Sequence, residues 1–261
     1  MSTFSQERLQ GVARQCAGRI ANAKDGEEYF EVPYRHIVLD NCFEAELATA
    51  CLENFPDHDD STWEHQNDFD IEVKSRTTWQ SELDIPEGIV DAVRILNAAE
   101  ILRAISGRIG IPKIMPDPYF TGGGLNATYR GGLLDVHVDG NYHDATGLNR
   151  RLNALVYLTP GWEPAWGGEL CLYDPTGSKC IKRIAPIFNR LVVFDSNDVS
   201  FHGLPEPIKF PVGVPRRSII LYYYTKDCRP ANHVTVQAPH SALWVQRGLR
   251  DKRGHVTREF S

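Results

Sequence analysis

The sequence predicts a mainly β protein in which an antiparallel sandwich or barrel follows a set of N-terminal helices. Six short apolar or alternating runs lie between residues 125 and 224, and Gly, Pro and Asp turns separate them without intervening helices. Before residue 112, apolar residues recur at helical spacing instead. A length of 261 residues with 42% hydrophobic and 24% charged residues suits one globular domain of this kind.

Composition limits the classes of function. The formal net charge of −6 disfavours a general binder of nucleic acid or of anionic membranes, because both need a basic surface. No segment approaches the roughly 20 apolar residues of a membrane span, and the first residues lack the apolar stretch of a signal peptide. The six scattered cysteines form no CxxC pair, so we expect reduced thiols and a cytoplasmic protein.

The N-terminal elements follow from the spacing of apolar residues. Residues 4–22 are predicted to form an amphipathic helix, and residues 29–39 an extended segment. Asn41 and Glu44 resemble a capping box that opens a second helix, which Pro56 closes. From Pro86 a helical pattern runs over residues 89–105, with a break near Asn97.

Two segments lack a clear apolar period. Residues 57–85 are mostly polar and are predicted to form a long loop, which makes them a candidate lid. The last fifteen residues carry Arg and Lys up to Arg258 and are predicted to form a solvated basic tail. The chain is therefore expected to be a single domain over 1–261, with a helical lead-in and lid loop (1–111), a β-core (112–228) and a C-terminal extension (229–261).

The β-core contains a pattern of metal-ligating residues. The runs that read as strands cover residues 125–129, 133–138, 152–158, 169–173, 190–194 and 216–224. His137 lies near the end of one run and Asp139 is two residues further on, so both share a face where the extended backbone continues. His202 follows 65 residues after His137. Two imidazoles and one carboxylate match the facial triad of non-haem Fe(II) oxygenases. The HxD spacing alone is weak evidence, because such a pair on a strand is usually solvated or packed.

Further residues at suitable offsets strengthen the metal hypothesis. Arg216 begins a β-run 14 residues after His202, and Ser218 shares its face. A buried guanidinium can bind a carboxylate through two hydrogen bonds, whereas the adjacent Arg217 must face the other way. Tyr157 and the paired glycines of 167–168 also lie in or beside strand runs, and the glycines suggest close backbone approach.

From about residue 125 to residue 224 the chain resembles the 2-oxoglutarate- and Fe(II)-dependent dioxygenases of the prolyl-4-hydroxylase-like branch. The matching segments are Tyr129-Arg130-Gly131-Gly132, His137-Val138-Asp139, Arg151-Leu152-Asn153-Ala154-Leu155-Val156-Tyr157-Leu158, Gly167-Gly168-Glu169-Leu170, Arg190-Leu191-Val192-Val193-Phe194, His202 and Arg216-Arg217-Ser218. The resemblance implies a double-stranded β-helix core (a jelly roll, as in cupins) behind the N-terminal helices. Asn189 departs from the pattern, since the family usually has Gly there.

The resemblance also implies roles for individual residues. His137, Asp139 and His202 would bind Fe(II), and Arg216 would pair with the distal carboxylate of 2-oxoglutarate with help from Tyr157 and Ser218. Residues expected to wall the co-substrate pocket are Tyr129, Leu155, Leu170 and Leu204. Candidate substrate contacts are Arg76 and Trp79 of the lid loop and His143, which is expected at the lip of the site. The implied reaction uses O2, with ascorbate as a candidate reductant, and hydroxylates a C–H bond while releasing succinate and CO2.

The sequence leaves several functions open. A non-catalytic cupin-like binding protein would share the β-core but would not need Arg216. A nucleic-acid dealkylase would usually carry a second Arg six residues later, where this chain has Tyr222. A halogenase would have a small residue in place of Asp139. The expected partner is a small molecule or a peptide side chain, not nucleic acid or a membrane, and the sequence indicates no oligomeric state.

Overall fold

The structure, a computed structural model, describes residues 4–257 and places four α-helices against a curled β-sheet. The helices are α1 (Gln6–Ala21), α2 (Ala45–Glu53), α3 (Glu87–Leu96) and α4 (Ala99–Ile109). The strands are β1 (Tyr29–Phe30), β2 (His36–Leu39), β3 (Trp63–Asp68), β4 (Glu72–Thr77), β5 (Met115–Pro116), β6 (Gly124–Thr128), β7 (Leu133–Val138), β8 (Asn149–Tyr157), β9 (Leu170–Tyr173), β10 (Cys180–Ile184), β11 (Leu191–Asp195), β12 (His202–Leu204), β13 (Arg216–Thr225) and β14 (Leu243–Trp244).

All these strands join one antiparallel sheet that curls upon itself. The strand order is β1–β2–β11–β8–β13–β6–β4–β7–β12–β9–β10, with β3, β5 and β14 pairing at its sides. Strand β4 pairs with β6 through Ser75 and Arg76 and with β7 through Glu72 and Val73. It therefore connects two halves of the sheet, a larger one that runs from β1 to β6 in this order and a smaller one that runs from β7 to β10. The prediction of a jelly-roll core behind N-terminal helices is confirmed.

The two faces of the larger half have different surroundings. Alternate residues of β8 and β13, such as Val156 and Ile219, pack with the helices in the main hydrophobic core. The intervening residues, such as Leu155 and Ile220, face the inside of the curled sheet. Because side chains alternate along a strand, one set of strands serves both the helical core and the interior.

The predicted helices are present, with corrections at the start of α2. Asn41 lies outside that helix in a left-handed conformation (φ 50°), and Glu44 occupies the N-cap without a side-chain capping bond. No capping box therefore opens α2, although its apolar residues Leu47 and Cys51 are buried as expected. The predicted break near Asn97 separates α3 from α4, and Gly110 ends α4 in a left-handed conformation (φ 76°).

The prediction of an irregular loop over residues 57–85 is wrong. Strands β3 and β4 form a hairpin in continuous register from Trp63↔Thr77 to Asp68↔Glu72. The segment lacks an apolar period because much of its surface is polar, while its pairing with β6 and β7 supplies the stabilising contacts. Trp79 follows the hairpin and is buried in the helical core, where its ring meets Phe120 edge-on at 5.9 Å.

The described part of the predicted basic tail is largely exposed, as expected, but it also contacts the hairpin. Strand β14, just before the tail, pairs with β7, and within the tail Arg247 donates a 2.6 Å hydrogen bond to Asp68 of the hairpin. Arg258, which the sequence analysis assigned to the tail, lies outside the described residues. Within residues 4–257, every helix is too short or too polar to cross a lipid bilayer.

We expect Trp79→Ala to lower the free energy of unfolding by about 3–5 kcal/mol, because it removes a large buried side chain and leaves a cavity. Chemical denaturation measures the change. Trp79→Phe is the control and should lose much less, since it keeps an aromatic ring against Phe120. A negligible loss in the alanine variant would contradict the core position of Trp79.

Candidate metal centre

Three predicted ligands meet at one end of the curled sheet. His137 lies in β7, Asp139 follows that strand directly, and His202 begins β12 as the residue paired with His137. One potential ligand atom from each residue lies within 4.8 Å of the others. Oδ1 of Asp139 is 3.7 Å from Nε2 of His137, and its Oδ2 is 3.5 Å from Nε2 of His202. All three residues are buried.

Backbone carbonyls orient both histidines for ligation. Nδ1 of His137 lies 2.8 Å from the carbonyl oxygen of Asp135, and Nδ1 of His202 lies 3.0 Å from that of Ser200. A carbonyl only accepts hydrogen bonds, so each Nδ1–H donates and each Nε2 keeps its lone pair for the centre of the triad. Burial, followed by the nearby His137, lowers the pKa of His202 to about 4, which keeps its imidazole neutral at pH 7.

Neighbouring polar groups hold the carboxylate of Asp139 in its ionised form. The side-chain amide of Asn153 donates a 2.5 Å hydrogen bond to Oδ2, and Nη1 of Arg150 lies 3.6 Å from Oδ1. Burial alone would raise the pKa of Asp139, but His202, His137 and Arg150 together hold it well below its ordinary value. Asn153 was not among the predicted site residues, although its alternation with Leu155 and Tyr157 on β8 places it on the same face.

The donor set suits Fe(II). Two imidazoles and one carboxylate leave other coordination positions open, as in non-haem iron oxygenases, whereas a closed structural zinc site has four protein ligands. Among residues 4–257, this triad is the one group of three or more His, Cys, Asp or Glu residues whose potential ligand atoms converge on a common point.

A cavity of about 960 Å³ opens from the triad. The expected wall residues Leu155, Leu170 and Leu204 line it, and so does Arg216. Gly168 has a left-handed φ of +81°, and its carbonyl accepts a 2.7 Å hydrogen bond from Nε of Arg216. A Cβ on Gly168 would lie 3.3 Å from Cδ of this arginine and 2.9 Å from the Phe210 ring, so glycine allows the close packing.

Arg216, Ser218 and Tyr157 form a buried polar cluster beside this cavity. Ser218 is paired with Tyr157 across β13 and β8, and the guanidinium of Arg216 lies 4.7 Å from the Tyr157 ring centre. Within the described residues, Nη2 of Arg216, Oγ of Ser218 and the hydroxyl of Tyr157 have no hydrogen-bond partner. Buried polar atoms of this kind usually have one, so the cluster fits a ligand that carries a carboxylate. Arg217 lies on the opposite face, near the Phe55 ring.

Tyr129 does not wall the pocket as expected. Asn126 and Thr128 of β6 line the cavity, while Tyr129 packs against the helical core and meets His58 edge-on at 4.6 Å. The alternation of β6 explains this placement, because Tyr129 continues the outward series of Leu125 and Ala127.

The three expected substrate contacts have different positions. Arg76 lines the cavity and pairs with Glu64 at 2.8 Å. Trp79 lies in the helical core and does not reach the cavity. His143 is buried away from the cavity, where its Nε2 bonds to Asp117 at 2.9 Å and its Nδ1 accepts from the backbone of Ala145 at 3.2 Å. Both ring nitrogens of His143 are therefore engaged in hydrogen bonds that stabilise the surrounding loops.

Trp244 is a cavity residue that the sequence analysis missed. It lines the cavity, and its ring stacks on His137 with centroids 4.5 Å apart and an interplanar angle of 29°. Pairing of β14 with β7 places it there. No pattern in the sequence indicated this contact, because Trp244 lies beyond the β-core with no alternating run around it.

The departure at Asn189 has a structural explanation. Asn189 adopts a left-handed conformation (φ 60°), which asparagine tolerates better than most residues. Its side-chain amide also accepts from the backbone nitrogen of Phe43 at 3.0 Å and donates to the carbonyl of Phe43 at 2.8 Å. Asparagine therefore serves the turn before β11 and ties it to the start of α2.

Comparison with known proteins identifies relatives of the β-core. Residues 124–224 match the family model of the 2OG-Fe(II) oxygenase superfamily. The prolyl 3-hydroxylase OGFOD1 of Mus musculus is 37% identical over 68 residues, and that of Xenopus laevis is 32% identical over 106 residues. These matches cover 24% and 38% of this chain but only 12% and 20% of the relatives' own lengths.

Solved structures share the fold over most of the chain. A Trichoplax adhaerens prolyl hydroxylase, solved with a peptide of the hypoxia-inducible factor oxygen degradation domain, superimposes with a TM-score of 0.57 at 20% identity. That match covers 85% of this chain and 94% of the other. A Pseudomonas putida prolyl-4-hydroxylase gives a TM-score of 0.54 at 16% identity, covering 84% of this chain and all of that one. These structures support the expected fold, and the family-model match over residues 124–224 supports the expected resemblance.

We expect alanine substitution of His137, Asp139 or His202 to weaken Fe(II) binding strongly, because each variant leaves an incomplete donor set. Anaerobic titration with Fe(II) measures the affinity, and circular dichroism checks the fold. His58→Ala, at an exposed histidine outside the triad, should bind Fe(II) like the parent. A triad variant that retained the parent's affinity would contradict the assignment.

Proposed function

We propose that the chain is an Fe(II)- and 2-oxoglutarate-dependent hydroxylase, because residues 124–224 match the family model of the 2OG-Fe(II) oxygenase superfamily. The observation that carries the proposal is the presence of two complementary sites in one interior. A facial set of metal donors lies at the cavity, and the unpaired polar atoms of Arg216, Ser218 and Tyr157 lie beside it. Together they provide for a metal and for the carboxylate of a metal-chelating co-substrate.

The residues of the chain bind and orient the reactants. His137, Asp139 and His202 would hold Fe(II), while Arg216, Ser218 and Tyr157 would hold the distal carboxylate of 2-oxoglutarate. When bound, Fe(II) and 2-oxoglutarate activate O2, so that one oxygen atom enters a C–H bond and the other enters succinate as CO2 is released. The carbonyls of Asp135 and Ser200 keep the histidine tautomers suited to ligation.

Side chains inside the curled sheet also control the access of water and substrate to the metal centre. Leu155, Leu170 and Leu204 present apolar surface beside the metal centre and limit the water that reaches it. The remaining cavity lies between the triad and the β3–β4 hairpin, which leaves room for a substrate to approach the metal centre.

The site favours hydroxylation over the alternatives. Asp139 fills the third ligand position, which a halogenase would leave open for halide. A cupin-like binding protein has no need for the Arg216 cluster, and Tyr222 occupies the position of the second arginine usual in nucleic-acid dealkylases. The named relatives are prolyl hydroxylases. We therefore propose a substrate with an unactivated C–H bond, in a peptide side chain or a small molecule.

Formation of succinate from 2-oxoglutarate tests the proposed reaction. The purified protein should form succinate only when Fe(II) and O2 are both supplied, and a library of peptides and small molecules should contain compounds that raise the rate. The hydroxylated product should gain one oxygen atom from labelled O2, measured by mass spectrometry. No Fe(II)-dependent succinate from well-folded protein would contradict the proposal and favour the cupin-like alternative.

We expect Arg216→Ala to weaken 2-oxoglutarate binding by several hundredfold, because loss of one partner from a buried charge pair typically costs about 3–5 kcal/mol. Arg217→Ala is the matched control, because this neighbour faces the outer side of the sheet. Anaerobic calorimetry with Fe(II) present measures both affinities. A larger loss in Arg217→Ala would contradict the assignment.

A further inference from the structure

The substrate cavity has a charge opposite to that of the whole chain. Apart from the triad and Arg216, the charged side chains that line it are five cations and three carboxylates, although the chain carries a formal charge of −6. The cations are Lys74, Arg76, Arg150, Lys252 and Arg253. Arg76 is paired with Glu64, and Arg150 faces Asp139. The other three cations, Lys74, Lys252 and Arg253, equal in number the lining carboxylates Glu72, Asp144 and Asp251, so the local arrangement of these charges decides where the wall is cationic.

Two of these cations converge on one buried carboxylate. Nζ of Lys74 lies 3.1 Å from Oε2 of Glu72, and Nζ of Lys252 contacts Oε1 of the same residue. Burial would raise the pKa of Glu72, but Lys74 and Lys252 lower it to about 2, so the carboxylate stays ionised. Two positive charges therefore share one negative charge, which leaves this part of the wall cationic.

Hydrogen-bond donors are also left over in this cluster. Two ammonium groups carry six N–H donors. Lys252 uses one on Gln66 at 2.7 Å and one on Glu72, and Lys74 uses one on Glu72. Arg253 adds a guanidinium that has no hydrogen bond or ion pair among residues 4–257, although its backbone nitrogen bonds to Asp251. Spare donors and excess charge in one wall suit an anionic group.

The cluster lies in the same cavity as the metal ligands. Lys74 comes from the β3–β4 hairpin, whereas Lys252 and Arg253 come from the C-terminal segment 241–255, which also contributes Trp244. The anion-binding atoms of Arg216 are separately accounted for by 2-oxoglutarate. A second anion in this cavity would therefore belong to the compound that is oxidised.

We propose that Lys74, Lys252 and Arg253 form a subsite that binds a carboxylate or phosphate group of the substrate. This inference rests on the proposed function, because it assigns the anion to the molecule whose C–H bond is hydroxylated. It excludes basic compounds as good substrates and requires an acidic group at some distance from the reacting carbon. Screening by added salt should weaken the interaction, since Lys252 and Arg253 are both exposed.

Calorimetry on the anaerobic protein, loaded with Fe(II) and saturated with 2-oxoglutarate, tests the subsite while Arg216 is occupied. The carboxylate probe is the peptide acetyl-Glu-Pro-Glu-amide, and its neutral match is acetyl-Gln-Pro-Gln-amide. The phosphate probe is inorganic phosphate. The acidic peptide or phosphate should bind, more weakly as sodium chloride is added, and the neutral peptide should bind much less. Whichever probe binds identifies carboxylate or phosphate as the preferred group.

Three variants at the subsite and one matched control locate the interaction. Lys252→Gln and Arg253→Gln should each weaken binding of the anionic probe by about fivefold, the effect of one partly exposed ion pair, and Arg253→Glu should weaken it further. Arg103→Gln removes the same charge from an exposed position on α4 outside the cavity and should leave binding unchanged. Lys74 is left intact so that Glu72 keeps a partner.

The outcomes separate this inference from the proposed function. Parent protein that forms succinate but binds neither anionic probe would overturn the subsite alone. Equal losses in Arg253→Gln and Arg103→Gln, or no loss in the subsite variants, would also overturn it. Absence of Fe(II)-dependent succinate would overturn the proposed function, whatever the calorimetry shows.

Discussion

Side-chain alternation along the paired strands β8 and β13 is the constraint on which both the core and the site depend. Ser218 opposite Tyr157 and Ile220 opposite Leu155 face the interior, whereas Ile219 opposite Val156 packs with the helices. A shift of one residue would exchange these faces. It would move Arg216 to the helical side and expose the apolar core residues to the cavity. Packing of the core and placement of Arg216 therefore both fix the register.

The same alternation explains how much the sequence could predict. His137 and Asp139 share a face because they are two residues apart, and Arg216 and Ser218 do so for the same reason. These groups lie on apolar strands whose pattern is local, so their common orientation follows from the sequence. The resemblance to a known family supplied the long-range step, which is that His202 lies beside them. In the structure, direct pairing of His202 with His137 provides that step.

Elements stabilised by distant contacts could not be predicted in this way. The β3–β4 hairpin is polar, and its position depends on pairing with β6 and β7, which follow much later in the chain. Trp79 and Tyr129 were assigned to the site through the family resemblance, yet Trp79 is buried in the helical core and the half-buried Tyr129 packs against it. Trp244 and Lys252 were missed because nothing near them in sequence indicates the strand and the hairpin that they contact.

A buried charged cluster connects the C-terminal segment to the metal centre. Asp198 pairs with Arg229 and lies 3.2 Å from Nε2 of His240, whose Nδ1 faces the carbonyl of Ser241 at 2.7 Å. Burial would raise the pKa of Asp198, but His240 and Arg229 hold it below its ordinary value. Removing one member would leave a buried charge without its partner, which is costly, so the cluster fixes residues 229–241 against the loop before His202.

The contacts of Asp198 with Arg229 and His240 affect both the triad and the cationic wall of the cavity. The loop fixed through Asp198 supplies the Ser200 carbonyl that orients His202, and the segment beyond His240 carries Trp244 onto the ring of His137. The same segment then presents Lys252 to Glu72 of the hairpin. Because one packed segment supports the metal ligands and forms the cationic wall, the wall is held in a defined position relative to the metal. A substrate anchored on that wall would consequently present a particular carbon to the reactive centre, which is how a rigid site selects a position of oxidation.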